Sequence, residues 1–114
     1  MDFTELRATF DRKTITEILN VTIENANEFF KTLNKACRDK NYKNMYDSCH
    51  NIIAMGFVGN HTLFNVCKQI NDTLRNKTDN VSAKDAETIE KLTKNIMVYE
   101  QDLIDQINAE LNQK

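Results

Sequence analysis

Apolar residues recur along this chain at intervals of three and four, the spacing that lines them up on one side of an α-helix. Phe3, Leu6 and Phe10 make a short amphipathic opening. Thr14-Ile15-Thr16-Glu17 then has capping-box form, Thr followed three positions later by Glu, ahead of a long apolar stripe. That stripe runs Ile15, Ile18/Leu19, Ile23, Ala26, Phe29/Phe30, Leu33 and Ala36/Cys37. It predicts a helix ending near Arg38, where Asp39-Lys40-Asn41 makes a polar break. A second pattern, Tyr42, Met45/Tyr46, Cys49, Ile52/Ile53 and Gly56, is interrupted at Gly59-Asn60, two residues that tolerate helix-ending backbone angles. Leu63, Val66/Cys67, Ile70 and Leu74 form a third. Asn76 to Asn80 is a polar loop, and Ser82-Ala83-Lys84-Asp85 reads as another helix start. Ala86, Ile89, Leu92, Ile96, Tyr99, Leu103, Ile107 and Leu111 then predict one long final helix. Gln106 and Glu110 occupy its later seam positions, which favours packing inside a bundle over a free coiled coil.

Composition agrees with the pattern. The 114 residues hold no Pro and two Gly, whereas a β-rich domain draws on both for its turns. The expected fold is therefore all-α: a four-helix antiparallel bundle with a short additional N-terminal helix, forming one domain over residues 1–114. With 40% apolar and 28% charged residues the chain is ordinary for a globular protein. Fifteen Lys/Arg against seventeen Asp/Glu leave no basic excess for a nucleic-acid backbone. The longest apolar run, Ile52 to Val58, is too short to span a bilayer, and the first ten residues lack a signal-peptide core. Cys37, Cys49 and Cys67 are widely spaced and odd in number, as reduced core side chains would be. A cytoplasmic protein is the expectation.

Little in the chain carries chemistry of its own. There is no Gly-rich phosphate loop, no Ser nucleophile motif and no Cys-x-x-Cys pair. The carboxylates are spaced as on a solvated face. Cys49, His50, His61 and Cys67 are the soft metal ligands, but neighbours on a helix point about 100° apart and no Glu-x-x-His pair exists, so no metal site is expected. On a helical wheel His50 falls roughly 90° from the apolar centre at Cys49, on the flank beside Lys43, Asp47, Ala54 and Phe57. A partner can reach an imidazole there. His61 is expected to face solvent in the first turn of the next helix, and Lys31, Lys35, Arg38, Lys40 and Lys43 to form a solvated basic face.

The stretch Asn41-Tyr42-Lys43-Asn44-Met45-Tyr46-Asp47-Ser48-Cys49-His50-Asn51-Ile52 resembles the helix of a histidine-containing phosphotransfer (HPt) domain. There an aromatic, an apolar and a small residue precede the phosphorylated histidine with this spacing, and an apolar residue follows at the second position. Gly59, Leu63, Val66-Cys67 and Ile70 resemble the family's next helix, and Phe3-Thr4-Glu5-Leu6 its opening. The similarity runs over nearly the whole chain, its specific part over about thirty residues. The family usually reads H-x-L-K-G-S/A, whereas here Ile53 stands in place of the Lys and Ala54 in place of the Gly. Losing that charge-assisted contact, at about 1.5–3 kcal/mol, would slow transfer roughly 10–100-fold.

The resemblance implies a phosphorelay intermediate rather than an autonomous enzyme. His50 would accept a phosphoryl group from a receiver-domain aspartate, with Lys43 or Lys68 standing in for the missing cation. Asp47, Ala54, Phe57 and Val58 would form the docking surface. The implied partners are response-regulator receiver domains and a hybrid histidine kinase, the receiver bringing Mg²⁺ while this chain, a monomer, needs no cofactor. Two other readings stay open: an HPt-like module that docks on a receiver or kinase without carrying phosphate, which Ile53 favours, and a purely structural bundle.

Overall fold

The stretch that follows Asp11 becomes helical because its apolar positions repeat with the helical period while its ends are capped. In the computed structural model, which describes residues 3–55 and 61–112, every regular element is an α-helix. A short α1 (Phe3–Thr9) is followed by α2 (Arg12–Asp39), whose 28 residues make about 42 Å of helix. The N-cap is Asp11, whose carboxylate accepts from the Thr14 N–H at 2.8 Å, so α2 begins before the expected Thr14 capping box. The earlier start lets the Arg12 guanidinium donate to the carbonyls of Glu110 and Leu111. At the other end Lys40 takes the left-handed conformation (φ 53°) and its N–H caps the carbonyls of Ala36 and Cys37, which turns the chain sharply at the expected polar break.

Next come α3 (Tyr42–Ala54), capped by the Asn41 side chain on the Asn44 N–H, and α4 (Thr62–Leu74). Ser82 caps α5 (Ala83–Thr93) as its sequence suggested, through the Asp85 N–H at 3.1 Å. The expected single final helix is instead divided: α6 (Ile96–Leu111) starts after a break at Lys94-Asn95. The Thr93 hydroxyl donates back to the carbonyls of Ile89 and Glu90, and Asn95 sits at ψ 18°, outside the helical range.

The packing forms a closed circuit. α2 lies on α3, α3 on α4, α4 on both α5 and α6, and α6 returns to α2, with α1 laid on α2. Inside are fully buried Leu19, Leu33, Cys49, Ile52, Leu63, Cys67, Ile70, Leu74, Leu103 and Ile107. Each large aliphatic side chain contributes about 1.5–3 kcal/mol of hydrophobic stabilisation. The molecule measures 49 × 20 × 18 Å, close to the length of α2 itself. No described helix is long and apolar enough to cross a membrane. Two carboxylates depart from the expected solvated face: Glu100 and Glu110, both on α6, are buried. All three cysteines are free, Cys49 and Cys67 in the core and Cys37 half-buried.

Candidate functional site on α3

α3 sorts its residues into two faces. Met45, Ser48, Cys49 and Ile52 point inward and are buried. On the outer side Lys43, Asp47, His50 and Ala54 are all exposed. Their spacing of four, three and four confines them to a strip about 60° wide at 100° per residue. Ile53 is half-buried and packs against the core, so this position offers no cation.

The strip is anchored from behind. The Cys49 thiol meets the Cys67 thiol of α4, and that contact together with burial pushes its pKa far up. Burial likewise raises Cys37 to about 11. The Cys49 and Cys37 thiols stay protonated and behave as small apolar groups. The Cys49–Cys67 contact pins α3 to α4, and the exposed His50 and Lys68 follow these two cysteines in sequence. No hydrogen bond or ion pair joins His50, Lys43, Asp47 and Lys68 among the described residues. Phe57 and Val58, the other expected docking residues, lie outside those residues.

A cleft of about 420 Å³ that His50 does not line opens between the α2–α3 corner and α5, with Cys37, Lys40, Tyr42, Met45, Ile89 and Glu90 among its walls. His50 instead stands on the exposed outer strip of α3. A single exposed helix face does not by itself enclose a small substrate or exclude water from it, whereas it can enter a pocket carried by another protein. Among the described residues no group of three or more His, Cys, Asp or Glu is placed to hold a metal ion.

Two features escaped the sequence pattern. His61 is buried rather than solvent-facing: it is the N-cap of α4 and bonds Asp102 of α6. Glu100 accepts from Asn34 Nδ2 of α2 at 3.0 Å, and burial pushes its carboxyl up to about 7. A signal for Glu100 existed. Ile96, Glu100, Leu103, Ile107 and Glu110 are spaced by four, three, four and three, and they are the buried face of α6, with Tyr99 beside it. For His61 no local signal exists, since its partner is 41 residues away.

No protein-family model, curated protein or solved structure matches this chain.

Proposed function

We propose that this chain is a histidine-containing phosphotransfer protein that accepts a phosphoryl group on His50 from a receiver-domain aspartate and passes it to a second receiver. Its architecture is then a four-helix antiparallel bundle of α2, α3, α4 and the interrupted α5–α6 pair, with α1 as the additional helix. One observation carries the reading: His50 is exposed on the outer strip of α3, next in sequence to buried Cys49 and two residues before buried Ile52. This is the arrangement of apolar and accessible positions around the acceptor that the HPt resemblance implies.

The chemistry asks little of the chain itself. A neutral imidazole has one nitrogen lone pair, and Nε2 attacks the phosphorus of the receiver's acyl phosphate in line. The P–N bond forms as the P–O bond to the aspartate breaks, and the carboxylate leaves with the electron pair. The receiver supplies the pocket and the Mg²⁺, and α3 supplies the nucleophile and its orientation. Lys68 and Lys43 are the cations within the chain's own reach. Lys43 lies two turns before His50, and helical side chains lean toward the N-terminus, which takes it away from the ring and leaves Lys68 the better candidate.

A second reading draws on Ile53. Its half-buried aliphatic side chain at the position of the family's cation fits a module that docks on receivers without carrying phosphate. Incubation with ³²P-charged receiver domains separates the two. Acid-labile label on the wild type and none on His50→Gln supports transfer. Receiver binding without label on the wild type overturns it in favour of the docking module.

A further inference from the structure

The second histidine is built into the fold. His61 precedes α4 with extended backbone (φ −69°, ψ 144°), and its Nδ1 accepts from the Leu63 N–H at 3.0 Å. Here imidazole fills the N-cap role usually taken by Ser, Thr, Asp or Asn. Those shorter side chains end at the cap. The imidazole has a second nitrogen on its far side, and Nε2 lies 2.7 Å from Asp102 Oδ2 on α6. An acceptor Nδ1 carries no proton, so the ring's single proton is on Nε2 and is donated to Asp102. The side chain of His61 is 5% exposed and that of Asp102 59%, so the bond runs from the interior to the rim.

We propose that His61 is a proton-operated clamp between α4 and α6: with one proton it caps α4 and holds Asp102 at once, and with two it must release the cap. A doubly protonated imidazole has two donors and no acceptor, so Nδ1–H would confront the Leu63 N–H. Around the ring Asp102 is the charged partner. Gln106, one turn further along α6, donates to the same Oδ2 at 3.1 Å and is neutral. The first turn of α4 brings Thr62, Leu63, Phe64 and Asn65, none ionisable. Among the described residues no other ionisable side chain of α3, α5 or α6 bonds or pairs with the ring. Acid therefore exchanges one partner for the other. The ring keeps α6 as an ion pair and lets the first turn of α4 loosen. This holds whether or not His50 accepts phosphate.

Nitrogen-detected NMR of the histidine rings in the full chain, combined with amide exchange, tests the clamp between about pH 5 and pH 8. At the upper end the His61 ring carries its proton on Nε2 only. As it gains the second proton, protection of the Leu63 amide falls about tenfold while that of Ile70 is unchanged. His61→Asn keeps a cap acceptor and cannot reach Asp102, so the step at Leu63 disappears. Asp102→Ala removes the ring's partner on α6 and keeps the cap, so the step at Leu63 persists without the tie to α6. An Nδ1–H tautomer at the upper end overturns the proposal. So does a ring that gains no proton over this range, or a step of equal size at Leu63 in His61→Asn.

Discussion

Glu100 and Glu110 sit on the same face of the same helix, 4% and 2% exposed, and their surroundings drive them in opposite directions. Glu110 receives the Arg7 guanidinium through paired bonds of 2.8 and 3.0 Å, with Arg12 at 3.8 Å behind it. The Arg7 hydrogen bonds hold its carboxyl below the ordinary carboxylate range. Glu100 has one neutral amide as its partner, and burial pushes it up to about 7. Its Oε2, like Asn34 Oδ1, has no hydrogen-bond partner. Burial alone thus says nothing about the charge of a carboxyl group. A bidentate cation keeps one ionised, and its absence leaves the other near its titration point at neutral pH.

The largest effect comes from removing the titration of Glu100. Its folded-state pKa is raised, so the native chain binds this proton more tightly than the unfolded chain. Its stabilising contribution is full below the ordinary value of 4.5 and falls away as pH rises through about 7. At about 1.4 kcal/mol per pKa unit the span is roughly 3 kcal/mol, an upper figure. Glu100→Gln keeps the shape and removes the charge. It should match the wild type in urea unfolding near pH 4 and exceed it by about 2–3 kcal/mol near pH 8. Equal stability at both pH values would mean that Glu100 finds a cation or water in solution.

Arg7→Ala breaks the contrast from the other end. It leaves the covered carboxylate with Arg12, 3.8 Å away, as its remaining guanidinium. Arg7 is itself half-exposed, so the loss is set at about 2 kcal/mol near pH 7, below the 3–5 of a deeply buried pair. The sign is opposite to that of Glu100. A lowered carboxyl contributes stability above its unfolded value and loses it as pH falls through the folded one. The difference between Arg7→Ala and wild type should therefore shrink in acid, again read by urea unfolding. A difference that stays constant with pH would assign the effect to the packing of the Arg stem.

A smaller loss is expected for Asp11→Ala, with Asp11→Asn close to wild type because it keeps a cap acceptor. The cap starts α2 at Arg12, and that start brings the Arg12 guanidinium to the end of α6. If Thr14 were the true cap, neither change would move the thermal midpoint. This position also shows where local reading stops. Asp11 and Thr14 are both good capping residues three positions apart, and only the distant carbonyls of Glu110 and Leu111 favour the earlier one. Apart from the division of the last one, the helices were legible because burial follows a spacing of three and four, and Ser82 announced its cap locally. The strip of Lys43, Asp47, His50 and Ala54 was legible for the same reason, since one helix sets it. His61 was not, and for Glu100 the spacing along α6 marked its burial but not its partner. Their burial is tolerable only through Asn34 and Asp102, partners 66 and 41 residues away that no local pattern brings together.

The smallest expected effect on stability belongs to the residue with the largest proposed role. His50 is exposed and makes no hydrogen bond or ion pair with a described residue, unlike the two carboxyl groups of α6 and unlike His61. His50→Gln should therefore change unfolding stability by less than about 0.5 kcal/mol, the range of ordinary surface substitutions. Phosphoryl acceptance should be lost completely in the same variant. A destabilisation above about 1 kcal/mol would show that the ring holds α3 in place. His50 would then belong with Glu100 and His61 among the buried polar ties of the fold, and the argument from a freely presented imidazole would fail.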